Sequence, residues 1–178
     1  MNRTVSILCV LMMSALFLDK INAQNYSLGA TFSYAGTGLE YSRKVDKDHF
    51  VQYQLRAETT GAFWSSRDKT GISASAFWNT VIKEVHSRND NRIRLYAGPG
   101  ISIGYASDIR SIPHGVFLGL KGRVGTECEF ARGITLSGSL SPMIGGHFTA
   151  NEGMINMRLY RTGLYYGVMP EIGIRYNF

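Results

Sequence analysis

The sequence predicts an all-β protein, an eight-stranded antiparallel up-and-down barrel that crosses a membrane with its apolar side chains turned outward. Three observations lead to this fold class. Apolar residues recur at every second position over long stretches, as in strands with one apolar face. The opposite rows combine small residues with charges of both signs. The 178 residues also include 20 Gly, 10 Tyr and 9 Phe, and strands favour the aromatics whereas helices avoid Gly.

The first segment of the chain is predicted to be a signal peptide, residues 1–23, which leaves residues 24–178 as one barrel domain. Arg3 supplies a basic start, Ile7 to Leu18 is an apolar core, and Ala23 is the small residue before the expected cleavage point. This order is typical of secretory signals. The sequence therefore predicts export.

The composition excludes several other classes of protein. With 44% hydrophobic and 18% charged residues, the chain is too apolar to be disordered. Its net charge of +6 is dispersed rather than clustered, so no nucleic-acid partner is expected. Cys128 is the one cysteine after the predicted signal peptide, which excludes an internal disulfide. No phosphate loop or zinc ligand set occurs, so we expect no cofactor and no metal.

Each strand is predicted from one alternating row, taken in chain order. From the first to the eighth, the apolar rows run over Tyr26 to Tyr34, Leu39 to Tyr41, Val51 to Ala57, Ile72 to Trp78, Ile93 to Tyr105, Val116 to Phe130, Ile134 to Ile144 and Tyr166 to Phe178. Pro99, Pro142 and Pro170 fall within these rows and cannot donate a ladder hydrogen bond. We expect local bulges or water at those three points.

The connections between the rows assign a direction to the barrel. With both termini on the periplasmic side, short turns fall inside and longer loops fall outside, as in bacterial outer-membrane barrels. The inner turns are Val45 to Asp48, Val85 to Asn91 and Ala131 to Gly133, and the outer loops are Gly36 to Gly38, Thr59 to Thr70, Ser107 to His114 and Thr149 to Arg161.

Two architectures fit eight antiparallel strands, and the polar face separates them. A soluble lipocalin-like barrel encloses an apolar cavity and turns its charges toward water. A transmembrane barrel carries an apolar band of about 25 Å between aromatic girdles and has a polar interior. The long apolar rows with tyrosines at their ends favour the membrane barrel.

The charges opposite the apolar rows are predicted to form a network in the lumen. Five of each sign are expected to point inward: Arg56, Arg94, Lys121, Arg123 and Arg175 with Glu40, Glu58, Glu127, Glu129 and Glu171. An eight-stranded barrel is only wide enough for side chains to fill. Paired rows therefore predict a plug, with a small gated pore as the alternative.

Histidines are the available bases for any catalytic site. His114 and His147 lie toward the predicted outer rim, and Glu152 lies in the last outer loop, as a lipid A-modifying deacylase-like enzyme would require. No serine is placed beside them, so we predict solvated rim histidines and no catalytic residues. His86 falls in an inner turn and His49 opens a strand.

The outer loops are predicted to carry whatever recognition the protein performs. Phe63 and Trp64 in one loop, with Arg158 and Tyr160 in another, are candidate contacts for a protein partner or for the phosphates of lipopolysaccharide. The alternative is that these side chains only extend the aromatic belts above the membrane.

The signal peptide, the eight alternating rows and the final segment Glu171 to Phe178 resemble the OmpA/OmpX-type small outer-membrane β-barrels of Gram-negative bacteria. The resemblance implies an outer-membrane location, a monomer surrounded by outer-membrane lipid and lipopolysaccharide, and a structural or surface-interaction role. It also implies that Phe178 is the terminal aromatic residue that the barrel-assembly machinery reads.

Overall fold

The computed structural model describes residues 25–59, 71–86, 91–108, 113–130, 133–151 and 154–178. The predicted signal peptide and the candidate contacts Phe63 and Trp64 lie outside these residues, as does Glu152.

The described part of the chain consists of ten strand segments and one short helix. In chain order these are β1 (Tyr26–Ser33), β2 (Gly36–Lys44), β3 (His49–Glu58), β4 (Gly71–His86), β5 (Arg92–Ala106), β6 (Gly115–Glu129), β7 (Ile134–Leu140), β8 (Met143–Asn151), β9 (Met154–Leu159), α1 (Arg161–Gly167) and β10 (Glu171–Asn177).

Antiparallel pairing closes the strands into a ring. Each strand from β1 to β6 pairs with the next strand in sequence. β7 then pairs with β10, and β10 pairs with β1, which closes the ring. β8 continues the seventh position above β7 and pairs with β6, and β9 pairs with β8. The predicted closed eight-stranded antiparallel barrel is confirmed.

The distribution of side chains is that of an inside-out barrel. Large apolar side chains are exposed on the outer surface, for example Leu120 at 71% and Ile144 at 66%. Polar side chains fill the interior, for example Gln52 at 0% and Glu40 at 2%. The predicted outward direction of the apolar rows is confirmed, and the lipocalin-like alternative is wrong because it requires the opposite arrangement.

The barrel has two distinguishable ends. The inner end carries the turn that joins β2 to β3, Val45 to Asp48, together with Phe178, whose N–H donates to the Tyr26 carbonyl oxygen at 2.9 Å. The outer end carries the turn that joins β1 to β2, the β8–β9 hairpin and α1.

The seventh predicted strand is interrupted at a proline. β7 ends at Leu140 and β8 begins at Met143, although both keep the same register on β6. Pro142 lies in the break because it has no N–H to donate to a ladder. Its carbonyl still accepts a bond from the N–H of Gly122 at 3.0 Å.

The eighth predicted strand is only half correct. Residues from Glu171 onward form β10, but Tyr166 and the residues before it form helix α1, and Pro170 lies just before the strand. The prediction of a strand that begins at Tyr166 is wrong. The predicted outer loop from Thr149 to Arg161 is largely the β8–β9 hairpin.

Pro99 stays within β5 and pairs with Gly122 of β6. The register between β4 and β5 shifts between Val81 and Lys83, and the expectation of a bulge or water at Pro99 stays a prediction. β4 also continues to His86, beyond the start of the inner turn predicted there.

Candidate functional site: a chain of buried ion pairs in the lumen

Eight charged side chains of the interior form one unbranched chain in which acidic and basic groups alternate. Strand alternation points these groups inward, and five strands of the ring contribute them. In order from the inner to the outer end the chain is Glu129, Arg94, Glu127, Arg175, Glu40, Arg123, Glu171 and Arg56.

The centre of this chain is the pair of guanidinium groups that share Glu40. Arg175 Nη1 lies 2.6 Å from Glu40 Oε1, and Arg123 Nη1 lies 3.2 Å from Glu40 Oε2. Arg123 Nη2 then reaches Glu171 Oε1 at 2.6 Å, and Arg56 donates to the other oxygen of Glu171. Each carboxylate is thus bonded through both oxygens, the arrangement that makes a buried charge tolerable.

The inner part of the chain opens toward water. Arg94 Nη2 lies 2.6 Å from Glu127 and 3.3 Å from Glu129, and Glu127 also accepts from Arg175. Glu129 is 25% exposed, unlike its buried partners. Beside it lies a cavity of about 30 Å³ that Lys44 also lines.

Amide side chains bind the remaining atoms of the central charges. Gln52 Nε2 donates to Glu40 at 3.1 Å, and Asn79 Nδ2 donates to the Gln52 oxygen at 2.6 Å. Gln54 Nε2 donates to Glu171 at 2.7 Å. These three residues were not predicted as site residues. The sequence nevertheless indicates that they point inward, because each alternates with an outward apolar residue.

Aromatic rings fill the interior between the charges. The guanidinium of Arg123 lies 4.0 Å from the centre of the Phe77 ring, a cation–π contact. Phe50 and Tyr96 meet edge to face with their ring centres 5.2 Å apart. Such inward rings are not predicted by a rule that assigns apolar side chains to the outer face.

Two of the ten predicted lumen charges lie outside the chain of ion pairs. Glu58 accepts a hydrogen bond from the Ser73 hydroxyl, and Lys121 Nζ donates to the Ser75 hydroxyl at 3.2 Å. Among the described residues, no carboxylate lies within ion-pair distance of Lys121. Both charges line a second cavity of about 30 Å³ near the outer end.

Tyr160 lies inside the barrel mouth and not on a loop surface. It is 3% exposed and stacks on Phe117, with ring centres 4.4 Å apart and planes 6° from parallel. It also faces the ring of His147 at 5.7 Å. Its prediction as an exposed loop contact is wrong, because β9 and α1 turn it inward.

His147 is equally buried, at 1% exposure, so its prediction as a solvated rim histidine is wrong. Its Nε2 lies 2.9 Å from the carbonyl oxygen of Ala106, which can only accept, so Nε2 carries the proton. Arg158 lies opposite His147 in the backbone register of the β8–β9 ladder, and Arg158 is exposed.

Three other predicted residues lie at the surface. His114 is exposed and stacks on Tyr105 with ring centres 5.8 Å apart. His86 is exposed beside Glu84 on the β4 extension. His49 contacts Asp46 in the turn between β2 and β3, where its Nδ1 lies 2.9 Å from a carboxylate oxygen.

Asp108 fastens α1 over the outer end of the lumen. Its carboxylate accepts from the N–H of Arg161 at 3.1 Å, from the N–H of Thr162 at 2.8 Å and from the Thr162 hydroxyl at 2.6 Å. A helix of seven residues is too short to persist without such contacts.

Neither a metal centre nor a spanning helix can be assigned within the described ranges. Across them, no group of three or more His, Cys, Asp or Glu side chains could hold a metal ion. The one helix that they contain is too short to cross a membrane.

Comparisons with known proteins give no match in sequence and a distant similarity in structure. The chain matches no family model. No curated protein matches its sequence either. A crystal structure that is similar to it is that of Ail, the attachment invasion locus protein of Yersinia pestis, with 11% sequence identity and a TM-score of 0.30. The similarity covers 85% of this chain and 94% of that protein. The strand pairing and the burial pattern establish the inside-out eight-stranded barrel independently of this similarity.

Proposed function

We propose that the protein is an integral outer-membrane barrel whose lumen is plugged by paired charges and which acts as a structural or surface-interaction protein. The observation that carries this proposal is the burial pattern. Charged residues such as Arg123 at 3% and Glu127 at 2% are buried, whereas Leu120 and Ile172 are 71% and 63% exposed. Exposure of so many apolar side chains around a closed barrel is favourable only in an apolar phase.

The plug is supported by the ion-pair chain and by the size of the cavities. Each end cavity is about 30 Å³, room for roughly two waters at about 10–15 Å³ each. Between them lie the central guanidinium groups of Arg123 and Arg175, each bonded to two carboxylates. A hydrated ion would have to break several buried ion pairs to pass.

The partners proposed for the protein follow from this location. They are outer-membrane lipid and lipopolysaccharide around the barrel, the barrel-assembly machinery during insertion, and a protein partner at the outer loops. We propose a monomer, with no nucleic-acid partner and no cofactor. Arg158 is the candidate loop contact that the described residues leave exposed.

A non-enzymatic role is proposed because the buried histidine is not paired with a nucleophile. Nε2 of His147 is engaged by a backbone carbonyl, and its ring neighbour is Tyr160. No described serine is hydrogen-bonded to it.

Membrane location is tested by fractionation of a Gram-negative host that expresses the full chain. The protein should sediment with the outer membrane, and unheated samples should migrate differently from heated ones in a denaturing gel. Recovery in the soluble periplasm with no heat-dependent shift would contradict the proposal.

The plug and the absence of lipid chemistry need separate measurements on the same preparation. Planar bilayers that contain the purified barrel should show no stepwise conductance. Mass spectra of lipid A should be identical in cells with and without the protein. Discrete channel openings would favour the pore, and a lost acyl chain would favour the enzyme.

The assembly role of Phe178 is tested by Phe178→Ala. Its ring meets Tyr176 edge to face at 5.3 Å, so the loss of stability should be small. We expect a lower amount of folded barrel in the envelope. Normal assembly in cells would contradict this role while leaving the barrel unaffected.

A further inference from the structure

Helix α1 replaces a strand in the outer part of the barrel wall. The ladder between β7 and β10 ends at the pair Ser139 and Glu171, and β8 continues upward without pairing to β10. At this level a hydrogen bond from the Ser141 N–H to the Gly167 carbonyl oxygen, 2.7 Å long, joins the strand to the helix. A single bond of this kind is weaker than a continuous ladder.

The helix has one face toward the surroundings and one toward the lumen. Leu164 and Tyr165 are 43% and 61% exposed on the outside. Thr162, Gly163 and Tyr166 line the outer cavity. The apolar surroundings and the cavity are therefore separated by the thickness of one short helix.

The outer cavity is amphipathic. Phe117 and Met143 form an apolar side near α1, whereas Arg56, Glu58 and Lys121 form a charged side. A cavity with these two sides matches the charged head of an amphiphile whose chain leaves past the apolar side.

The positive charge of Lys121 determines which charge the head group should carry. Arg56 on the same side is already paired with Glu171. Lys121 contacts the Ser75 hydroxyl and the Phe77 ring, whose centre lies 5.6 Å from its Nζ, and the Glu58 carboxylate that lines the same cavity is not within ion-pair distance of it. A largely enclosed ammonium with no carboxylate in direct contact is costly unless an anion accompanies it. The site therefore favours a negatively charged head.

Size and charge restrict the anion further. The cavity of about 30 Å³ has room for roughly two oxygen-sized groups at about 10–15 Å³ each. The carboxylate of Glu58 lines the same cavity and disfavours a second negative charge. A carboxylate satisfies both limits better than a phosphate monoester does.

We propose that the outer cavity binds the carboxylate of a long-chain fatty acid, with Lys121 as its counter-ion and the alkyl chain leaving the barrel beside α1. This inference rests on the proposed membrane location. The contact that the chain must pass is that between the rings of Tyr34 and Tyr166, 5.1 Å apart.

The experiment uses the full-length purified barrel in lipid nanodiscs and oleic acid labelled with ¹³C at its carboxyl carbon. We expect a carboxyl resonance distinct from that of oleate in empty nanodiscs, saturating at one per barrel. Lys121→Met should weaken this binding at least tenfold, and Lys121→Arg should retain it. Lys83→Met, at an exposed lysine on β4, is the matched control and should bind like the unaltered protein.

A second variant closes the apolar side without touching the charge. A Cβ at Gly163 would lie 3.0 Å from the Met143 side chain and 3.1 Å from the Tyr160 ring, so Gly163→Ala should also weaken binding. The proposal is overturned if the unaltered barrel shows no bound resonance, if both variants bind like the control, or if a lysophosphatidic acid binds as tightly as oleate. Heat-dependent gel migration of each sample reports separately whether the membrane barrel has formed.

Discussion

The guanidinium of Arg123 lies 3.2 Å from Glu40, a residue 83 positions earlier in the chain, and neither side chain is more than 2% exposed. The pair joins β6 to β2 across the interior rather than between neighbouring strands. Because each partner has a second ion-pair partner, removal of one charge leaves the others only partly compensated. The chain of ion pairs should therefore respond to mutation as a unit.

Neutralising a member of this chain should destabilise the barrel strongly. Arg123→Met or Glu127→Gln leaves a buried opposite charge without its partner, at a cost of about 3–5 kcal/mol. Unfolding by denaturant from lipid vesicles measures the loss. Leu118→Met is the control, since Leu118 is 54% exposed on the outer face and a conservative change there should cost well under 1 kcal/mol. A neutral Arg123→Met would contradict the interpretation of the chain as a coupled network.

The strands were predictable because alternation is a local signal. Rows such as Ile93 to Tyr105 keep period two over their whole length, and one face must be apolar for the barrel to lie in lipid. The inward direction of the ten charges follows from the same parity. Which charges meet does not follow, because it depends on the stagger of the strands around the ring; Arg56 and Glu171 are 115 residues apart.

Helix α1 and the buried Tyr160 could not be predicted in the same way. Tyr166, Val168 and Pro170 continue the alternation of apolar residues that is typical of a strand, although α1 extends to Gly167. Asp108, 53 residues before Arg161, holds the helix in place. No side chain next to the helix caps its start, so the local sequence does not indicate a helix. Tertiary contacts override the local pattern there.

Two glycines of β6 should respond oppositely to a methyl group. A Cβ at Gly125 would lie 2.6 Å from the Tyr96 hydroxyl oxygen and 2.8 Å from the Gly138 carbonyl oxygen. Gly125→Ala should therefore cost about 1–3 kcal/mol through overpacking. Gly122 has nothing within 4 Å of its Cβ position, so Gly122→Ala should be neutral or slightly stabilising. Thermal unfolding of both variants checks the difference, and equal effects would contradict the inward packing of Gly125.

The turn between β2 and β3 should lose stability in acid. The backbone N–H of Asp48 and then the ring of His49 hold the pKa of the Asp46 carboxyl below its ordinary value of 3.8. For a lowered carboxyl pKa, the stabilisation is present above the ordinary pKa and is lost as pH falls through the folded value. The side-chain carboxyl ¹³C shift of Asp46, followed by NMR from pH 6 downward, should titrate below the midpoint of an unperturbed aspartate. Asp46→Asn should abolish that titration, and a midpoint at the ordinary value would count against the turn geometry.

Removal of the Asp108 carboxylate should release α1 while leaving the barrel closed. Asp108 is 0% exposed and accepts from two backbone N–H groups and one hydroxyl. Loss of a cap costs about 0.5–2 kcal/mol, and each buried donor left unsatisfied adds about 1–3 kcal/mol. A seven-residue helix is not stable without these contacts.

Amide hydrogen exchange of residues 161–167 should therefore accelerate in Asp108→Ala and partly recover in Asp108→Asn, which keeps one acceptor. Exchange in β10 should stay slow, because its ladders to β1 and β7 do not involve α1. If α1 remained as protected in Asp108→Ala as in the unaltered protein, the ring contact between Tyr34 and Tyr166 and the bond from Ser141 would have to hold the helix instead.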